Sequence, residues 1–391
     1  MNFAHLVYPC TVEEFFRSHY EKAFLFNQRN QPGYYDDVLN DSDLDLFFAQ
    51  QNLNPAGIRL VKDGVAIPVE QWTKEVERTG GPLKTFICPE QIFRHYYEGA
   101  TIIINAAEKS IPGFAKACSA IEQETRLVLQ ANVYITPPNS QGFRMHYDDH
   151  DIFSLQIKGP KRWRLYDTRE ELPTSKGPFR NALVLISEIE LHAGDLLYMP
   201  RGIVHEAFAT DVSTIHVNFS CGGIYGFHLV QSLVKLAEEE DVFFRKMIPH
   251  GLSSEEEISN YKSLFTEKLV ALIGKYGVET LLQRQNEKFV ERQVIDFKGR
   301  LSDALALEKL NINSLLIKRK ALAFDLQKTA DGTIISFRGQ TISVSRIFDI
   351  AIFLQDQPFK VADIEGLITN NGKLAMVREF VETGFLQIIK N

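Results

Sequence analysis

The sequence predicts an α+β chain whose middle is an antiparallel barrel or a double-sheet jelly roll. Three observations carry that expectation. From about Val128 to Gly223 the chain reads as short β-rich segments (ANVYIT, DIFSLQIKG, KRWRLYD, ALVLISEIELHAGDLLYMP, HEAFAT, STIHVNFS) cut at close intervals by Gly, Pro and Asp. On either side the apolar spacing changes to three-and-four, the period of amphipathic helices. The length of 391 residues exceeds what one hydrophobic core normally serves. The expected division is a β-rich domain with helical N-terminal elaboration over 1–226, a helical region over 227–310 and a winged-helix-like module over 311–391.

In chain order, VEEFFRSHYEKAF, DLDLFFAQQNL and PEQIFRHYYEGA read as helices, alternating with the short strands GIRLV and TIIIN. Beyond Phe227, HLVQSLVKLAEEEDVFFRKM and ISNYKSLFTEKLVALIGKYGVETLLQRQNEKFVERQV carry apolar stripes with charges between them. Such a stripe is the internal seam of a bundle or a dimer face, and a homodimer is expected. The last stretch reads as a helix (SVSRIFDIAIFLQ), a second helix (ADIEGLI), a third (KLAMVREFVETG) and a strand (FLQII), an order that fits a winged helix.

Composition narrows the class. With 45% hydrophobic and 24% charged residues the chain is of ordinary soluble type, which excludes disorder and collagen-like repetition. A net charge of −7 argues against a non-specific phosphate binder. The terminal module mixes acidic and basic residues around an isolated Lys318–Lys320 run, so nucleic acid is not supported as a partner. Cys10, Cys88, Cys118 and Cys221 form no CxxC pair and are expected to be reduced core thiols. The opening MNFAHLVYPCTVEEFF has no basic region followed by a long apolar run, and no segment approaches a membrane span. A cytoplasmic protein without membrane contact is expected.

The chemistry concentrates in QGFRMHYDDHDIF, Gln141 to Phe153. His146 and Asp148 are at i and i+2, which on an extended strand places both on one face. A third neutral imidazole would complete a facial site of two histidines and one carboxylate, with positions left open on Fe(II). His205 supplies it, in GDLLYMPRGIVHEAF, where Pro200-Arg201-Gly202 makes a tight turn just before it. The competing reading is a hydrogen-bonded His146–Asp148 pair at a strand end with His205 a satisfied core histidine.

The stretch ANVYITPPNSQGFRMHYDDHDIFSLQIKGPKRWRLYD, together with GDLLYMPRGIVHEAF, resembles the JmjC (cupin-4) ribosomal oxygenases, most of all their nucleolar histidyl hydroxylase branch. The likeness covers about Asn132 to Ser220. It implies that the β-rich domain is a double-stranded β-helix (jelly-roll/cupin) JmjC domain, and that the chain is an Fe(II)- and 2-oxoglutarate-dependent hydroxylase with His146, Asp148 and His205 as metal ligands. It also implies that Lys161, thirteen residues beyond Asp148, pairs with the distal carboxylate of 2-oxoglutarate. A buried cation needs an anion, and a dicarboxylate provides one. Arg162 and Arg164 should point away from Lys161. In the resembling enzymes the positions of Asn132 and Tyr134 line the substrate pocket. Asn218 and Ser220 share a strand face and are candidates to donate hydrogen bonds to the cosubstrate. Tyr147, Asp149, His150 and Asp151 read as rim and turn residues in reach of substrate, whereas His192, His216 and His228 read as structural.

The resemblance favours a ribosomal protein as substrate, hydroxylated on a histidine or arginine side chain. A peptide or small natural product is the alternative, because the same metal core serves both. A reading from another class is a non-catalytic metal-binding cupin whose winged helix recruits a partner.

Overall fold

Side chains along Lys161–Tyr166 alternate between the interior and a half-exposed face: Lys161, Trp163 and Leu165 are buried, and Arg162 and Arg164 are not. The two arginines instead reach Glu190 (3.3 Å) and Glu188 (2.8 Å) on the neighbouring strand. That period-two pattern, repeated through the middle of the chain, makes a jelly roll. The computed structural model describes all residues except 51–53, 77–83, 168–170, 177–182, 249–251, 253, 293–298, 321 and 390–391. The chain divides into two compact units, Met1–Gly222 and Gly223–Asn391.

In the first unit the helices are α1 (Phe3–Val7), α2 (Val12–Ser18), α3 (Asp41–Phe48), α4 (Pro89–Tyr97) and α5 (Pro112–Thr125). Its strands begin with β1 (Leu25–Asn27), β2 (Ile58–Lys62), β3 (Val65–Ala66), β4 (Thr73–Val76), β5 (Lys84–Ile87) and β6 (Thr101–Ile104). They continue with β7 (Val128–Thr136), β8 (Asp151–Lys158), β9 (Lys161–Tyr166) and β10 (Leu185–Leu191). The last are β11 (Leu196–Met199), β12 (Val204–Ala209) and β13 (Thr214–Gly222).

The larger sheet runs β1-β11-β8-β13-β7-β6-β2-β3, the smaller β10-β9-β12. Ile152, Leu197 and Met199 of the larger share one core cluster with Trp163, Leu165, Ile189 and Leu191 of the smaller, so the sheets pack as two layers. The larger sheet also packs against the N-terminal helices. Phe3 and Phe15 meet Phe153 at 6.0 and 5.5 Å, and Phe15 meets Tyr198 at 4.8 Å. Each such ring, fully buried, stabilises by about 1.5–3 kcal/mol. α2 starts where Thr11 Oγ1 accepts from Glu14 N, and α3 where Asn40 and Asp43 cap each other reciprocally.

α5 has no counterpart in the sequence expectation. Its opening Ile111-Pro112-Gly113 resembles a turn, but Pro112 sits in the first helical turn, where its missing N–H costs nothing. Gly113 is there because a Cβ would lie 2.2 Å from Val38 O.

The second unit opens with α6 (Gly226–Glu240), α7 (Val242–Arg245) and α8 (Glu255–Arg292), the last broken at Gly277, φ +63°. Leu233 and Leu236 pack with Leu272 and Leu281 as the seam predicted for these stripes. Gln293 and Val294, which the expected helix includes, lie outside the described residues. α9 (Arg300–Ala306), α10 (Ala351–Leu354) and α11 (Asn370–Thr383) accompany β14 (Leu315–Lys318), β15 (Asp325–Lys328), β16 (Gly332–Phe337), β17 (Gln340–Ser345), β18 (Phe359–Lys360) and β19 (Leu386–Ile388).

Two expected helices are corrected here. SVSRIFDIAIFLQ begins as β17, not as a helix, because Ile342 and Val344 alternate with exposed neighbours and pair with β16; the helical part shrinks to α10. ADIEGLI is a single 3₁₀ turn at Val361–Asp363. The turn ends where Ile364 becomes extended, and beyond it Gly366, at φ +141°, passes so close to Ile347 O that a Cβ would lie 2.3 Å from it. The third helix and final strand are present as α11 and β19.

Candidate active site

His146 and Asp148 precede β8 rather than lying on a regular strand. The sequence argument from strand parity therefore named the right residues for a different reason. An isolated bridge supplies the geometry: His146 N donates to His205 O (3.0 Å) and His205 N to His146 O (2.7 Å). Gly202 N donates to Asp148 O (3.0 Å), so the tight turn before His205 is tied to the carboxylate's own backbone.

Each imidazole is oriented by a carbonyl. Nδ1 of His146 lies 2.8 Å from Arg144 O, and Nδ1 of His205 lies 3.0 Å from Ile203 O. A carbonyl only accepts, so Nδ1 carries the proton and Nε2 presents a lone pair. Both Nε2 atoms lie 3.7 Å from Asp148 Oδ2, and one ligand atom from each residue falls within 4.8 Å of the others. Burial pushes His205 down to about 4, which keeps it neutral at pH 7. Burial opposes ionisation of Asp148, yet His205, His146 and Lys176 hold its carboxyl low, at about 2. Two imidazoles and a carboxylate on one face are the donor set that suits Fe(II), so the residues fit that metal.

A cavity of about 410 Å³ opens over this triad. Lys161 is buried within it, with Nζ 3.2 Å from both Thr136 Oγ1 and His216 Nδ1. Burial lowers its ammonium to about 7, and among the described residues no carboxylate offsets that. Asn132, Tyr134, Asn218 and Ser220 all line the cavity on β7 and β13, paired so that Asn132 faces Asn218. Asn132 Oδ1 accepts from Ala106 N (3.1 Å) and Gln130 Nε2 (3.3 Å). Its amide nitrogen is thereby the group left for the cavity. Ser154 Oγ donates to Asn218 Oδ1. Burial pushes the Tyr134 phenol up to about 12.

Three assignments change. His216, expected to be structural, lines the cavity: it contacts Lys161 and stacks on Tyr134 at 4.6 Å. It shares strand parity with Asn218 and Ser220, so the same signal could have found it. Asp151, expected at the rim, is buried; it accepts from Tyr198 OH (2.5 Å) and Arg201 N (3.1 Å) and braces the turn before His205. Tyr147 is half-buried and outside the residues lining the cavity, whereas His150 lines it and its Nδ1 lies 3.1 Å from Asp149 Oδ1. His192 and His228 are outside the residues lining the cavity: one lies beside Glu190, the other accepts from Tyr225 N at the start of α6. Thr136, Trp163 and Lys176, none of them singled out from sequence, also line the cavity.

Residues 108–225 match the JmjC domain family. The chain is 30% identical over 291 residues to ribosomal oxygenase 1 of Gallus gallus, covering 70% of this chain and 47% of that protein. It is 31% identical over 264 residues to the bifunctional lysine-specific demethylase and histidyl-hydroxylase NO66 of Aedes aegypti, covering 65% and 38%. It thus spans about half or less of the length of these curated relatives. Among solved structures, the Escherichia coli ribosomal oxygenase YcfD superposes with a TM-score of 0.57 at 16% identity, over 97% of this chain and 98% of that one. The same protein in complex with cobalt and 2-oxoglutarate superposes equally well, TM-score 0.57 at 17% identity and the same coverage. With a JmjC domain match and two sheets layered over a triad of two histidines and one carboxylate, the chain is similar in sequence and fold to the JmjC-domain ribosomal oxygenases.

Proposed function

We propose that this chain is an Fe(II)- and 2-oxoglutarate-dependent hydroxylase acting on a histidine or arginine side chain of a ribosomal protein. The observation that carries the reading is a pair of imidazole lone pairs converging on Asp148 Oδ2, in one cavity with a buried ammonium that has no carboxylate of its own among the described residues. Bound there, Fe(II) would supply the dioxygen chemistry that couples oxidative decarboxylation of 2-oxoglutarate to hydroxylation of a nearby C–H bond.

The chain's own residues bind and orient. His146, Asp148 and His205 hold the metal from one side and leave the other to ligands. Lys161 pairs with the distal carboxylate of 2-oxoglutarate, itself held in place by Thr136 and His216. Asn218 and Ser220 donate to the cosubstrate. Asn132 and Tyr134 hold the substrate side chain, with His150 towards the mouth. Trp163 and Ile152 close the apolar side of the cavity and exclude water.

Further readings belong with this one. The names of the two curated relatives support a ribosomal partner, and the exposed Val230 and Val234 of α6 support a homodimer through the helical region. Separate core clusters around Leu233 and around Phe380 support dividing the second unit into a helical part and a winged-helix-like part, although the latter core also takes in Phe289, Val290 and Leu307. Among the described residues no helix is long and apolar enough to cross a membrane, and four unpaired cysteines suit a reducing cytoplasm.

The test has two arms. Purified protein with Fe(II) is expected to convert 2-oxoglutarate to succinate, and His146→Ala or Asp148→Ala to abolish it. Intact mass spectrometry is expected to show one ribosomal protein lighter by a single oxygen in cells lacking the gene. Unchanged ribosomal masses beside loss of a hydroxylated small molecule would move the substrate to the natural-product class.

A further inference from the structure

Lys176 lies between β9 and β10 with 58% of its side chain exposed, yet its Nζ donates to Asp148 Oδ1 at 2.6 Å, inside the cavity. The Asp148 side chain is only 10% exposed. Its two oxygens are therefore divided. Oδ2 faces Nε2 of both histidines at 3.7 Å, while Oδ1 is occupied by the ammonium. A lysine this exposed gains little from an ordinary surface pair, because water screens it and ordering the long side chain costs entropy. A charge-assisted bond to a nearly buried carboxylate does something else: it fixes the rotation of that carboxylate.

That rotation matters for the count of open positions. Three donors on one face of an octahedral cation leave three positions. A carboxylate binding through both oxygens would take a fourth. Two-point chelation by a 2-oxo acid would then leave no place for dioxygen.

Resting on the metal-dependent function proposed above, we propose that Lys176 is a positioning residue that holds Asp148 to ligation through Oδ2 alone. The same ammonium repels a divalent cation, so the lysine trades metal affinity for an open coordination face. Its removal then has opposite effects on metal and on cosubstrate, which loss of fold would not produce.

Co(II) is the probe, because its visible absorption reports donor set and coordination number without turnover. Wild type, Lys176→Met and Lys176→Arg are titrated with Co(II) and then with 2-oxoglutarate, and thermal unfolding of each metal-free protein is recorded. We expect Lys176→Met to bind Co(II) at least as tightly as wild type, with an altered absorption band, and to require roughly tenfold more 2-oxoglutarate. Lys176→Arg should restore the wild-type band and affinity. An unchanged band with unchanged 2-oxoglutarate affinity in Lys176→Met overturns the proposal, leaving a surface pair. Tighter Co(II) binding with unchanged 2-oxoglutarate affinity also overturns it, leaving a cation that merely competes with the metal. If wild type itself fails to bind Co(II), the metal-dependent function falls first and takes this inference with it.

Discussion

Lys161 holds an ammonium in a buried cavity where, among the described residues, only Thr136 and His216 are placed to receive it. Its pKa falls from 10.5 to about 7 because burial disfavours the charge. The cost to folding is nil above pH 10.5, grows as pH falls through that window and is complete below 7, where it reaches roughly 5 kcal/mol. Lys161→Met is therefore expected to raise the melting temperature of the ligand-free protein at pH 7 and to abolish dicarboxylate binding; a lower melting temperature would contradict the account. A bound carboxylate restores the charged form, so above pH 7 binding must take up a proton. The 2-oxoglutarate affinity should then weaken up to tenfold per pH unit as pH rises from 7, with proton uptake seen by calorimetry in buffers of different ionisation heat. The metal triad was legible in the sequence because His146, Asp148 and His205 carry local signals, a short spacing and a turn before a histidine. Asp151 was less legible, since whether a polar residue sits at a rim or braces a turn depends on strands far away in the chain.

The turn His192–Asp195 shows how an element can depend on one side chain. Asp195 Oδ1 accepts from Arg29 N (2.6 Å) and Asn30 N (2.8 Å), and Oδ2 accepts from His192 N (2.8 Å). Gly194, at φ +94°, lets this turn approach Gln31 O, which a Cβ would meet at 2.3 Å. Asp195→Ala leaves three part-buried backbone donors without this acceptor, and at up to about 1–3 kcal/mol each the expected loss is on the order of 3 kcal/mol in urea unfolding. A loss under 1 kcal/mol would mean that water replaces the carboxylate. Central strands such as β9 were readable because alternation is a local signal. The C-terminal elements were harder, since Ile342 and Val344 occur in a sequence that a helix also tolerates, and only pairing with β16 makes them a strand.

At the scale of the molecule, the exposed apolar residues of α6 and α8, among them Val230, Val234, Val270 and Ile273, are expected to be covered by a second copy. Light scattering at micromolar concentration should give twice the chain mass of 44.6 kDa, and the single-chain mass would refute this. The larger sheet has a different consequence. The matched family segment, 108–225, contains β7 and β11 but none of β1, β2, β3 or β6, which flank them in the strand order. A protein trimmed to that segment would present β7 and β11 as bare edges, with unpaired N–H and C=O groups beside stripped apolar faces. Such edges recruit the same strand from another molecule. Expressed alone, residues 108–225 should collect in inclusion bodies, and adding back residues 1–107 should return them to solution.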